Sequence, residues 1–142
     1  MSLPKSLGPI EVDVTRAQLV QYAAASQDFN AIHYDTQVAQ SFGLPGVIVH
    51  GMLTMGVWDA LFVPLYTQGY QLTALQARFR QVLQPSQTII LSGVIESADQ
   101  GVRVKLTATA QGQDKPAVTG EARFSQTAST NHESPMPSSP AQ

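Results

Sequence analysis

Gly51-Met52-Leu53-Thr54-Met55-Gly56-Val57-Trp58-Asp59-Ala60-Leu61-Phe62-Val63 is apolar nearly all the way round a helix, with Thr54, Gly56 and Asp59 the exceptions. A surface helix carries one apolar stripe, whereas a helix apolar on most sides is buried. The segment is therefore expected to be the central element, running from Gly51 to near Pro64.

Downstream of Gln71 the period changes to runs rich in Val, Ile, Thr and Phe, read as strands near 72–83, 87–97, 102–111 and 116–125. They are broken at Gln84-Pro85-Ser86, Asp99-Gln100-Gly101 and Gly112-Gln113-Asp114. Such short breaks favour antiparallel hairpins, because a parallel crossover needs a dozen or more residues. Upstream, Ile10–Val14 alternates as a short strand. Thr15 with Gln18 three residues later forms a capping box for a helix to about Ala25. Asp35 or Thr36 starts a shorter helix through Ser41, stopped by Gly43 and Pro45. One strand, then helices, then four strands is an α+β layout, an antiparallel sheet wrapped around a long central helix.

The 142 residues suit one domain, with 43% hydrophobic and only 13% charged residues, against roughly 25% charged in an ordinary soluble domain. So low a charge content points to surface covered by a partner chain. Residues 127–142, with their prolines and serines and almost nothing apolar, read as a flexible tail after a domain of residues 1–126. A net charge of −2 with scattered basic residues gives no basis for nucleic-acid binding. The absence of cysteine excludes disulfides, thiolate catalysis and Cys-based zinc sites. Met1–Ser6 leads into no apolar run like a secretory signal, and the apolar stretch at Val57–Leu65 is too short to span a bilayer. The expectation is a cytoplasmic protein without membrane contact.

Candidate chemistry concentrates in Ser26-Gln27-Asp28-Phe29-Asn30-Ala31-Ile32-His33-Tyr34-Asp35, between two expected helices. A carboxylate and an imidazole on one compact loop can share a water and exchange protons with it at neutral pH. The same residues serve simpler ends: Asp28 as a turn cap, Asn30 as an Asx turn. In the second segment, Val47-Ile48-Val49-His50-Gly51-Met52, the chain enters the central helix at Gly51. Free N–H groups there favour an anion such as a developing enolate, although Gly51 alone reads more readily as a turn residue. His50 fits a hydrogen-bonded structural histidine. Asp28, His33, Asp35 and His50 are all possible metal ligands, but no HExxH-type spacing occurs. There is no GxSxG elbow and no Gly-rich phosphate loop. Arg78 with Arg80, and Arg103 with Lys105, share strand faces. They would either meet phosphates of coenzyme A or a carrier-protein pantetheine, or form a solvated sheet face.

Together, Tyr22–His33 and Gly46–Gly56 resemble the MaoC-like (R)-specific enoyl-CoA hydratase family, closest to dehydratase subunits of mycobacterial-type fatty acid elongation. The family pattern is Ser-Gly-Asp-x-Asn-Pro-[aliphatic]-His, then an aliphatic-His-Gly-[Met/Leu] helix start. The resemblance implies a hot-dog fold, usually dimerised edge to edge, as a homodimer or with a heterodimeric partner. It implies reversible hydration of trans-2-enoyl thioesters of CoA or acyl carrier protein to (3R)-3-hydroxyacyl thioesters. In that reading Asp28 and His33 activate water, the Gly51 N–H stabilises the enolate oxygen, and no metal or redox cofactor takes part. Asn30 orders the loop, His50 orders it or meets substrate, and Met52 and Met55 line the acyl tunnel beside Trp58 and Phe62. Three positions depart from the pattern: Gln27 for glycine, Ala31 for proline, and Gly56 where some members carry serine. A hot-dog thioesterase and a subunit active only in a heterodimeric dehydratase are the alternatives. The Asp-x-Asn-x-x-His spacing disfavours the thioesterase, and retention of Asp28 with His33 disfavours an inactive partner.

Overall fold

Thr15 separates the first strand from the first helix by its own hydrogen bonds. Its hydroxyl accepts from the Gln18 N–H, and its N–H donates to the Gln18 side chain, a complete capping box. The computed structural model describes residues 3–127, and the expected tail lies outside them except Thr127. Thr127 is tied down, its N–H and hydroxyl both donating to the Gly69 carbonyl.

Strand β1 (Ser6–Asp13) leads into helix α1 (Arg16–Ser26), a 3-10 turn at Ala31–His33 and helix α2 (Thr36–Ser41). Asp35 caps α2 through the Gln37 and Val38 N–H groups. The central rod begins as α3 (Gly51–Val57), tightens to a 3-10 stretch over Trp58–Phe62, and resumes as α4 (Val63–Tyr66). Pro64 does not end it as expected; it sits in the first turn of α4, where its missing N–H has no helical acceptor to serve.

Four long strands follow: β2 (Tyr70–Phe79), β3 (Thr88–Ala98), β4 (Gly101–Ala110) and β5 (Val118–Gln126). The sheet order is β1-β3-β4-β5-β2, with every neighbouring pair antiparallel. The tight turns at residues 99–101 and 112–114 make the expected hairpins. The break at Gln84-Pro85-Ser86 does not, because β2 pairs with β5 and lies at the opposite edge from β3's partner β1. Residues 80–87 instead carry the chain across the molecule, held by the Ala117 carbonyl, which accepts from Arg80 and Gln81, and by the Leu83 carbonyl, which accepts from Val49.

On β4, Val102, Val104, Leu106, Ala108 and Ala110 are buried while the residues between them face outward, the period of a sheet with one covered face. The core joins these to Trp58, Leu61, Phe62 and Leu65 of the rod and to Leu19 of α1. Gly120 makes room for Trp58: a Cβ there would lie 2.7 Å from the indole ring. The rod is less enclosed than expected. Met52, Gly56, Asp59, Ala60 and Val63 are exposed in the single chain, so the sheet covers one side only. The architecture is the hot-dog fold. No helix among the described residues is long and apolar enough to cross a membrane.

Candidate active site

Helix α1 ends in a left-handed residue, Gln27 (φ 63°, ψ 19°), the conformation glycine adopts at least cost. The turn it makes delivers Asp28 to the front of the molecule. The Ser26 hydroxyl donates to the Tyr22 carbonyl at 2.7 Å and accepts from the Asp28 N–H at 3.3 Å. Asp28 Oδ1 accepts from the Asn30 N–H, and Asn30 Oδ1 accepts from the Ile32 N–H, both at 3.3 Å. Asn30 thereby caps the 3-10 turn that carries His33. Its backbone (φ −59°, ψ 123°) lies in the extended region that a residue before proline favours, so the loop at Ala31 has a local conformation that would also accept proline.

The Gly46–His50 segment pins this loop from behind. The Ile48 N–H donates to the Ile32 carbonyl at 3.1 Å, and the Ile48 carbonyl lies 2.8 Å from His33 Nδ1. A carbonyl only accepts, so Nδ1 carries a hydrogen and the Nε2 of a neutral His33 presents a bare lone pair. That Nε2 faces Asp28 Oδ2 at 3.8 Å, too far for a direct hydrogen bond. The His33 side chain is 9% exposed and that of Asp28 50% exposed, so water reaches the gap from the aspartate side. Two acceptors facing each other across this distance suit one water that donates a hydrogen to each.

His50 closes the site underneath. It is 1% exposed and stacks on His33, with ring centroids 3.7 Å apart and planes 18° from parallel. Tyr22 meets it edge-on at 4.7 Å. Its Nε2–H donates to the Asp28 carbonyl at 3.3 Å, while its Nδ1 has no partner among the described residues. Burial, then the neighbouring His33, hold its pKa below the ordinary 6.5, which favours its neutral form. Asp28, His33 and His50 place possible metal-ligating atoms within 4.8 Å of one another. The two stacked rings, however, hold their in-plane lone pairs in separate, near-parallel planes, unlike the converging donors of a tetrahedral site.

His50 is also the N-cap of α3 and offers it no side-chain bond, so the first N–H groups of the rod are uncommitted. Gly51 leads them. A Cβ at 51 would lie 2.9 Å from the Phe79 ring, so the small residue lets the end of β2 close over the helix start. Beside it lies a small cavity of about 130 Å³ lined by Ile48, Thr54, Phe79, Val82, Leu83 and Val118. Asp28, Asn30, His33, His50 and Gly51 are thus brought together as the sequence suggests. Met52 is 64% exposed, whereas Met55 is half-buried against the core. Trp58 and Phe62 are fully buried core residues. Gly56 lies on the exposed side of α3, where an added Cβ would meet nothing within 4 Å. Arg103 and Lys105 share Glu96 on the outer sheet face, at 3.2 and 3.4 Å. Tyr22, Phe79 and the Ile48 carbonyl are additions. Tyr22 and Ile48 lay inside the quoted segments, but nothing in their residue type or spacing marked them, and Phe79 lay outside both.

The model of the MaoC like domain matches residues 5–115. Fatty acid synthase subunit beta of Aspergillus oryzae is 31% identical over 108 residues, covering 74% of this chain and 5% of that protein. The chain thus spans a small part of that relative. Among solved structures, an (R)-hydratase from A. caviae involved in PHA biosynthesis superposes with a TM-score of 0.79 at 21% identity, covering 89% of this chain and 98% of that one. A ChsH1–ChsH2 complex from Mycobacterium tuberculosis gives 0.77 at 18% identity, covering 89% and 100%. With the family model covering well over half its length, the chain belongs to the MaoC-like dehydratase domain family.

Proposed function

We propose that this protein reversibly hydrates trans-2-enoyl thioesters of CoA or acyl carrier protein to (3R)-3-hydroxyacyl thioesters. The observation that carries the reading is the pair of facing acceptors, Asp28 Oδ2 and His33 Nε2, 3.8 Å apart, with the His33 tautomer set by Ile48. Family membership supports the hydratase/dehydratase class. The water held between them attacks C3 as one of the pair takes its proton. The C2=C3 π pair becomes the C1=C2 bond and the carbonyl π pair moves onto the thioester oxygen, where the Gly51 N–H and the helix dipole stabilise the enolate. C2 then collects a proton from the pair, leaving the catalyst unchanged after net addition of water. No step calls for a metal or redox group. Asn30 and His50 act as positioning residues, holding Asp28 through its Oδ1 and its backbone carbonyl.

A homodimer goes with this function. The outer edge of β2 has no strand partner among the described residues, since β2 pairs only with β5, and open edges invite pairing. The exposed Met52 and Val63 would be covered by the same contact. A cytoplasmic setting suits CoA- or carrier-bound substrates. The test is to give purified protein crotonyl-CoA and follow loss of enoyl absorbance alongside free thiol. Loss of absorbance without thiol release is expected. Thiol release at the same rate would establish a thioesterase instead, and a folded dimer inert on every enoyl chain length would point to a heterodimeric partner.

A further inference from the structure

We propose that the outer face of the sheet carries a binding site for a phosphate ester, centred on Arg78, Arg80 and Thr119. The site is distinct from the acid–base pair and does not rest on the hydratase reading. The chain has a net charge of −2, yet five of its eight Lys and Arg residues share this face: Arg78, Arg80, Arg103, Lys105 and Arg123. At one end the charges are neutralised. Glu96 lies 3.2 Å from Arg103 and 3.4 Å from Lys105, and Glu121 accepts from Arg123 at 3.2 Å. At the other end they are not, because neither Arg78 nor Arg80 pairs with a carboxylate among the described residues. Two like charges side by side repel, and a bound anion relieves that repulsion.

The free donors converge on one point. Arg80 Nε donates to Thr119 Oγ1 at 3.5 Å. Arg78 stands directly across from Thr119 on β2, and Thr107 stands across from it on β4. Facing residues of paired strands hold their Cβ atoms about 4.5–5.5 Å apart, so the three side chains form one row. With its oxygen engaged by Arg80, Thr119 has a hydroxyl hydrogen to give. Two guanidinium forks and two hydroxyls suit a dianion with several oxygens, whereas a lone carboxylate occupies one fork. The row opens into a groove of about 420 Å³ whose other wall is Gln76, Glu121 and Lys105, a size usual for small-ligand sites. That wall supplies an amide, a carboxylate and an ammonium, partners for the hydroxyls of a molecule bearing the phosphate. Pairing of two chains through the β2 edge leaves this face open.

The test titrates the full chain by calorimetry with inorganic phosphate, ribose 5-phosphate and adenosine 3′,5′-bisphosphate. It is repeated on the double variant Arg78→Gln/Arg80→Gln and on Arg123→Gln, a control from the neutralised end. Wild type is expected to bind at least one of the esters saturably and more tightly than inorganic phosphate. The double variant should weaken that binding by at least about tenfold, with Arg123→Gln unchanged. Hydration of crotonyl-CoA and of crotonyl-pantetheine, which carries no phosphate, separates the sources. A KM raised in the double variant for crotonyl-CoA alone assigns the site to the nucleotide of the substrate. KM unchanged for both, beside lost ester binding, assigns it to a free phosphate ester. Absence of saturable binding by all three anions would overturn the proposal, as would equal affinity in the double variant or an equal loss in Arg123→Gln. The titrations decide this even where no turnover is found, an outcome that bears on the hydratase reading alone.

Discussion

At the scale of single residues, the site works through fixed orientations. Gln27 sits at φ 63° in a left-handed turn, which costs a non-glycine residue roughly 1–2 kcal/mol. Gln27→Gly is therefore expected to raise folding stability by about 1 kcal/mol, read as a higher urea midpoint at unchanged slope. His50 makes stability depend on pH. Its folded pKa lies below the unfolded 6.5, so the unfolded chain binds the proton more readily and stability falls as pH drops through about 6.5. It levels off once pH passes below the folded value. His50→Gln should flatten that part of the pH–stability curve, and an unaltered curve would assign the dependence elsewhere. Asp28, Asn30 and His33 were legible because the chemistry lies in side chains close together in sequence. The Ile48 carbonyl, which sets the His33 tautomer, was not, since a backbone acceptor leaves no mark in residue type. Nor was Phe79 above Gly51, because only folding brings position 79 to position 51.

Elements come next. The Thr15 capping box and the Asp35 cap are local and were readable from spacing alone. The place of β2 was not, because its pairing with β5 depends on residues 80–87 crossing the molecule rather than on any turn signal. At the start of α3, the oxyanion role proposed for the Gly51 N–H separates from mere smallness by two substitutions. Gly51→Ala and Gly51→Pro both place a Cβ against Phe79, but only proline deletes the N–H, at a helix position that tolerates it. Losing one such donor costs about 2.7–4 kcal/mol, a factor of roughly 10² to 10³ in kcat. The proline variant should fall below the alanine variant by that factor, and equal rates would remove the N–H from the mechanism. On β5, against the middle of the rod, Gly120→Ala drives a methyl into Trp58 and the Gln76 carbonyl. It should destabilise by about 1–3 kcal/mol in urea unfolding.

For the whole molecule, the α+β layout with one sheet around one rod was legible from hydrophobic period. What the period could not show is that the rod is covered on one side only. Its apolar residues on both sides read alike, whether the cover comes from the sheet or from a second chain. The low charge content and the open β2 edge agree with a second chain. A dimer in solution is expected, checked by light scattering. Catalysis is proposed to rest on the acid–base pair, and Asp28→Asn tests it with little else disturbed, since the amide oxygen can still accept from the Asn30 N–H. The decisive measurement is kcat for crotonyl-CoA hydration by Asp28→Asn with its melting temperature matched to wild type. A fall of at least about 10²-fold is expected; a rate within a few-fold of wild type would remove Asp28 from the chemistry.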